Sequence, residues 1–535
     1  MLLEVSSDVF RSGPVSFHHG LNVVLGDEKA TNSIGKSSLL MILDFIYGGE
    51  TYLSHNQDTI NELGHHEFKF KMQVGEVVKA FRRSTNSPES IRGCDLEYNP
   101  IQIIPLAEYT EFLKTVYMLD EIDSSFRSVI SLYSRIWGKD NAFVAKPLHS
   151  FASQKAMEAI DNLVKLFNKY SQLKPLIADL HDSTNQKEYL KSAQKGSYAP
   201  KITKTKYDSN FEKRGKINGE IENIKSELSK YAANIREIVN RDVLELKIKK
   251  DSLLEKKLEI ESKLLRVSAN LNSSRHIKSK SFKQLKEFFP DINSERLEKV
   301  ELFHSRISQI LKKELESSRS IYSGELSAVN DEIRIIDDKM RASVTSIENP
   351  GTIIDRTFGL LTEMGQIDRE NKTYDQSIQI SARVDISKST LADRRKSILT
   401  EIEFELNDEM RNIAQQVYVD ANKSPIVLFT DSNYQFEVYE DTGTGKAFSS
   451  LLIFDLAVFK LTKLPLLIHD SFLFKNIQNT AVSGLVDRYV ASEKQSFIAI
   501  DEISKYGPET SKRLEANAVI KLADDRTLFV KDWRK

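Results

Sequence analysis

The chain has 535 residues, more than one hydrophobic core usually covers, so at least two structural units are expected. Lys and Arg total 76 against 77 Asp and Glu, a formal net charge of −1, which excludes a uniformly basic nucleic-acid binder and confines any such site to a local patch. The single cysteine, Cys94, excludes an internal disulfide and a CxxC zinc site, while 29% charged residues with only 21 glycines and 12 prolines favour long, exposed, salt-bridged helices.

The opening Met1-Leu2-Leu3-Glu4-Val5 has no basic stretch followed by an apolar one, and no apolar run reaches about 18 residues, so neither a signal peptide nor a membrane span is expected. With the cysteine usage, this points to a reducing cytoplasm. Leu21-Asn22-Val23-Val24-Leu25-Gly26 reads as a buried strand closing on glycine. Asn32-Ser33-Ile34-Gly35-Lys36-Ser37-Ser38 follows, and Leu39 to Leu43 begin a helix. Strand, loop and helix in that order are what a P-loop needs: backbone N–H groups and the helix N-terminus cradle phosphate, Lys36 reaches the β/γ oxygens, and the Ser37 hydroxyl holds magnesium. A chance Gly-Lys-Ser in a loop is the alternative, and the flanking strand and helix argue against it. The first glycine of the GxxxxGK[ST] pattern falls on Ala30, and the nearest upstream glycine is Gly26, so the loop reads as lengthened.

Glu67 to Val74 alternates at period two and Val77 to Arg82 resumes after Gly75-Glu76, a β-hairpin signal. Ile217, Ile221, Ile224, Leu228, Tyr231, Ile235 and Ile238 then step by four and three, and Ile260, Leu264, Val267 and Leu271 resume the pattern. This is the a/d seam of a coiled coil; residues 211–271 would extend roughly 90 Å. Tyr322, Leu326, Val329, Ile333, Ile336 and Met340 repeat the spacing, and the turn between the arms is expected at 272–299. Weaker helical segments at 155–185 and 352–418 extend the arms, and their near symmetry favours an antiparallel intramolecular coil over a helical bundle. Two locally basic stretches, Lys191 to Lys206 and Arg275 to Lys286, could meet a phosphate backbone or be solvated surface.

Past the insert, Gly443-Thr444-Gly445 precedes the apolar run Leu451 to Phe454. It cannot be a second Walker A, because Ala447 lacks the hydroxyl. Leu466-Leu467-Ile468-His469-Asp470 is a buried strand ending in a carboxylate that can orient water on magnesium. Phe497-Ile498-Ala499-Ile500 is another, ending in Asp501-Glu502.

The stretches Phe10-Arg11-Ser12, Gly20 to Gly26 and Asn32 to Ser38 resemble the opening of SMC, RecN and RecF-type ATPases. The tail, with its Gly-Thr-Gly loop, Leu-Ile-His-Asp-Ser strand end and Phe-Ile-Ala-Ile-Asp-Glu strand, resembles an uncharacterised bacterial SMC-like family associated with multi-component DNA repair or anti-phage defence systems. The resemblance implies an α/β fold: a bipartite P-loop ABC-type ATPase head, mixed sheet with helices, interrupted by a long antiparallel coiled coil. It divides the chain into 1–150 and 421–535, the two halves of the head, and 151–420, the insert. It implies an ATPase using ATP and Mg2+, with Asn32, Gly35, Lys36, Ser37 and Ser38 on nucleotide, Ser37 and Asp470 on the metal, and Gly443 and Gly445 as a signature loop facing the nucleotide of a second subunit. A plain glycine-rich turn is the competing reading of that loop. Two heads would thus close as a homodimer around ATP, with DNA and separate effector subunits as partners and no membrane. The family usually places a catalytic glutamate after the Walker B aspartate; here Ser471 stands there, so hydrolysis is slow or Glu502 or Asp501 supplies the carboxylate. The family's glutamine loop has no clean equivalent, Ser134 to Gly138 being either its counterpart or a packed surface turn.

Overall fold

The computed structural model describes residues 1–230, 241–273, 294–344, 351–418, 424–430, 432–438 and 443–534. They form two compact units, one of 1–179 with 387–535 and one of 180–386. The first is an α/β head assembled from both ends of the chain, and the second is a helical insert.

Two large sheets and a two-stranded one build the head. β1 (Leu2–Ser6) pairs with β2 (Val15–Ser16) and β3 (Leu21–Leu25) follows; β4 (Glu67–Val74), β5 (Val77–Ser84), β6 (Ser90–Cys94) and β7 (Pro100–Pro105) complete an antiparallel sheet of order β2-β1-β4-β5-β6-β7. The expected hairpin is its centre, with Val74 opposite Val77 across Gly75, whose φ is +60°. The other large sheet uses β8 (Ser134–Arg135), β11 (Leu466–His469), β12 (Gln495–Ile500) and β13 (Ala518–Lys521) in the order β13-β3-β12-β11-β8, and every pairing in it is parallel. A parallel sheet is covered on both faces, which is why β3, β11 and β12 are mostly apolar and buried at every residue.

The helix Lys36–Ile46 touches both β12 and β4, and Leu39 through Ile46 are all buried, so it lies between the sheets. Two charged devices fix it there. Arg83, fully buried, donates from its guanidinium to the carbonyls of Phe45 and Gly49 (2.9 Å to the latter) and lies 3.9 Å from the Phe45 ring centroid; burial pushes its pKa down to about 10. A cation at a helix C-terminus is favourably placed. Asp44 receives Arg127 at 2.8 Å and Lys139 at 3.1 Å. Burial alone would raise the Asp44 carboxyl, but those two cations overcome it and hold the group well below the ordinary range.

The returning helix Gly351–Val417 reaches the head with Ile398, Ile402, Leu406 and Met410 buried at every fourth position. Asn407 there satisfies both backbone groups of Val427 in β9 (Ile426–Phe429), at 2.8 and 2.9 Å, and β9 pairs with β10 (Tyr434–Glu437).

Within the helical unit the seam is antiparallel. Leu253, Ile260, Val329, Ile336 and Met340 bury together between the helices Arg241–Ser273 and Ser294–Val344, and Lys250 meets Asp337 at 2.6 Å. The helices Lys204–Lys230 and Gly351–Val417 run antiparallel too: Tyr207 donates to Asp375 at 2.7 Å, Asn210 to Asn371 at 2.9 Å, and Arg214 pairs with Asp368 at 3.0 Å. The segment expected as one helix over 155–185 is instead Ala156–Leu166, a short turn, and Lys174–Lys195. The turn expected at 272–299 falls, over 274–293, outside the described residues, as do the basic stretch Arg275 to Lys286 and the seam positions Tyr231, Ile235 and Ile238. Among the described residues, no helix is long and apolar enough to cross a membrane.

Candidate nucleotide site

In a parallel sheet ligands bind beyond the carboxyl ends of the strands. Those ends here deliver Gly26 from β3, Ile136 and Trp137 from β8, Asp470 from β11 and Asp501 from β12 to one place. The loop from Gly26 to Gly35 closes over it. Asp27 organises that loop, accepting from the backbone N–H of Thr31 at 2.9 Å and from its hydroxyl at 2.5 Å. Ala30 and Ser33 hold φ of 51° and 57°, and Gly35, the N-cap residue, 101°. Glycine is the ordinary occupant of such conformations, so Ala30 and Ser33 carry backbone strain on this loop. At Gly35 any side chain would also strike Leu528, whose Cβ would be 2.4 Å away.

Lys36 opens the helix. Its Nζ donates to the Thr31 carbonyl at 2.9 Å and pairs with Asp501 at 3.0 Å, both side chains being more than nine-tenths buried. Gly26 makes the approach possible, since a Cβ there would lie 2.9 Å from Asp501 and from the Lys36 stem. Next to it Ser37 lines the same cavity as Asp470, whose carboxylate accepts from the backbone N–H of Trp137 at 3.1 Å and of Ser471 at 2.7 Å. Burial pushes the Asp470 carboxyl above its usual range against those hydrogen bonds. A buried carboxylate and a serine hydroxyl lining one cavity offer hard oxygens, a donor set that suits magnesium completed by phosphate and water.

Asn32, Gly35, Lys36, Ser37, Ser38 and Asp470 line one cavity of about 750 Å3, within the range of small-ligand sites. Ser471 lines it too. Glu502 does not; its carboxylate accepts from Lys505 at 2.8 Å, and its own φ is 49°. Gly443 and Gly445 stand at the start of the helix Thr444–Leu461, away from the cavity wall. A Cβ on Gly445 would meet the Asn476 carbonyl at 2.1 Å, so that glycine is required by packing, whereas Gly443 faces open space. Ser134–Arg135 is an edge strand, and Trp137, 59% exposed, stands at the cavity rim.

A buried polar chain behind Asp470 carries no sequence motif. Arg135 grips Asp455 through Nε at 2.5 Å and Nη2 at 2.8 Å, Asp455 meets His469 at 3.1 Å, and His469 meets the Tyr489 hydroxyl at 2.5 Å. Burial lowers the His469 pKa despite Asp455, so the ring is neutral, with Nε2–H donating to Asp455 and Nδ1 accepting from Tyr489. Unfolded imidazole protonates near 6.5, and here at lower pH, so below about 6.5 the unfolded state binds more protons and stability falls as pH falls. The loss is at most about 1.4 kcal/mol per pH unit from this group, and His66 and His149, both lowered by burial, add to it. Thermal unfolding between pH 7.5 and 5 should show this slope, and His469→Gln should flatten it; an equal slope in the variant would remove His469 from the cause.

The second unforeseen wall of the cavity is the C-terminal segment. Leu528 donates its N–H to the Ile34 carbonyl at 3.0 Å and Val530 to Val9 at 3.0 Å, which lays Thr527 to Arg534 against the phosphate loop.

A family profile described as "Uncharacterised protein conserved in bacteria (DUF2326)" matches residues 406–532, the stretch that carries Asp470, Asp501 and most of the C-terminal segment. No curated protein sequence matches the chain. Among solved structures it is similar to the Smc head domain with a coiled coil and joint from Pyrococcus yayanosii, at 13% identity and a TM-score of 0.44, over 98% of this chain and 94% of that one. It is also similar to the Smc head domain with an extended coiled coil, bound to the C-terminal domain of ScpA, from Pyrococcus furiosus, at 12% identity and a TM-score of 0.39, over 98% and 92%.

Proposed function

We propose that the head binds and hydrolyses ATP with Mg2+ and that ATP-dependent pairing of two heads is coupled to DNA binding or sensing, in a multi-component DNA repair or anti-phage defence complex. The observation that carries the nucleotide part is that one cavity is lined both by Ser37, on a Gly-Lys-Ser loop near one end of the chain, and by Asp470, a strand-end carboxylate near the other. Lys36 and the backbone N–H groups at the start of the helix Lys36–Ile46 hold the phosphates, and Ser37 with Asp470 would hold the metal, which would neutralise charge on the transferring phosphoryl group. Gly443 and Gly445 would face the nucleotide of the second head. The DNA and effector partners follow from the sequence resemblance, with the exposed basic stretch Lys191 to Lys206 as the described candidate contact.

Sedimentation of wild type and Lys36→Ala, with and without ATP and DNA, tests this reading. ATP-dependent dimers and DNA co-sedimentation in wild type alone support it; no response of wild type to ATP overturns it.

A second reading, a nucleotide-gated scaffold that regulates protein effectors with little hydrolysis and no DNA contact, is favoured by two details. Ser471 replaces the usual base, and the Glu502 carboxylate is engaged by Lys505. Glu502→Gln decides part of this. If Glu502 activates water, turnover should drop by about 10²–10⁴-fold; unchanged steady-state ATPase would take it out of the chemistry.

A further inference from the structure

The cavity is longer than its phosphate end, and its remaining wall has a composition that phosphate does not explain. At the metal end the cavity is lined by Ser37 and Asp470; the next residue, Ser38, donates its hydroxyl to Asn56 at 3.0 Å; two residues on from Asn56, Asp58 receives the indole Nε1–H of Trp533 at 3.4 Å. Ser38, Asn56, Asp58, Phe529 and Trp533 all line the cavity, so these contacts tie the start of the helix to an aromatic surface in the same cavity. Trp533 is half-buried, and its ring lies 5.8 Å from that of Phe529 at an interplanar angle of 30°. The segment bearing both is pinned on three sides: Leu528 to Ile34 in the phosphate loop, Arg11 to the Leu528 carbonyl at 2.9 Å, and Lys531 to Glu62. An indole fixed at a cavity edge, with a second ring behind it, gives a planar apolar face of the kind on which bases stack.

We propose that Trp533, backed by Phe529, is the nucleoside subsite of this cavity and stacks on the purine of the bound nucleotide, so that the C-terminal segment supplies preference for a nucleoside triphosphate over bare polyphosphate. The proposal rests on the ATP-site reading above and adds to it which part of the chain recognises the base. The only other tryptophan, Trp137, belongs to the metal end, since its N–H holds Asp470.

The test compares ATP and inorganic tripolyphosphate as ligands of the full chain, by calorimetric titration in Mg2+. Trp533→Ala should weaken ATP about 5- to 150-fold while leaving tripolyphosphate within about twofold, and Trp533→Phe should recover most of the ATP affinity. Retained tripolyphosphate binding shows that the variant's phosphate loop is folded. Two results overturn the proposal while leaving the nucleotide site standing: wild-type ATP affinity in Trp533→Ala, or equal losses for both ligands. Failure of the wild type to bind either ligand overturns the ATP-site reading and this one with it.

Discussion

Lys36→Ala should weaken ATP binding by about a hundredfold, the scale of one or two charge-assisted hydrogen bonds lost, and should also cost the folded head about 3–5 kcal/mol. The second effect follows from Asp501. Its Oδ2 lies 3.0 Å from the ammonium and, among the described residues, has no other hydrogen-bond partner, so removing Lys36 leaves that oxygen buried and uncompensated. Breaking a buried pair from one side is far more damaging than removing both charges. Lys36→Ala with Asp501→Asn should therefore regain most of the stability and none of the nucleotide affinity, which makes the double variant the cleaner control for any loss of function. Urea denaturation and ATP titration of the two single variants and the double one check this. Full stability in Lys36→Ala alone would show that Asp501 is satisfied some other way.

The same pair marks the limit of what could be read from the sequence. Strand, loop and helix around Lys36 were legible because each signal is local: an apolar run closing on Gly26, the Gly-Lys-Ser, and apolar residues from Leu39 onward. Asp470 was legible for the same reason, as a carboxylate at the end of a four-residue buried strand. That Asp501 meets Lys36 was not, because β12 lies beside β3 in the sheet while their residues are nearly the whole chain apart. Nor was the course of the phosphate loop. A glycine signals a left-handed residue, and here Ala30 and Ser33 adopt that conformation without one. The coiled-coil seam was visible as spacing, and Val329, Ile336 and Met340 are buried where it placed them. The C-terminal segment was missed because Phe529 and Trp533 have no periodicity; what positions them is backbone pairing with residues 9–11 and 34.

The polar chain behind β11 should be as sensitive as the loop before Lys36. Arg135 and Asp455 are both fully buried, and the guanidinium also donates to the carbonyls of Asn141 and Pro147, so its donors are spread over the loop that leads out of β8. Arg135→Met should lower stability by about 3–5 kcal/mol, because Asp455 would keep only His469 as a partner, and Asp455→Asn should cost a comparable amount. A paired Arg135→Met, Asp455→Leu replacement should restore much of that, since two apolar groups of similar volume leave no charge behind. Function should not return with it. The Arg135 carbonyl accepts the Asp470 N–H at 3.0 Å, and Trp137 two residues on donates to the Asp470 carboxylate, so the strand that Arg135 anchors also sets the position of the Asp470 carboxylate. A displacement of about 1 Å there can cost about a hundredfold in rate. Denaturation midpoints alongside ATP turnover separate the two roles: stability recovered with turnover still low means that the pair positions Asp470, whereas recovery of both means that it only holds the head together.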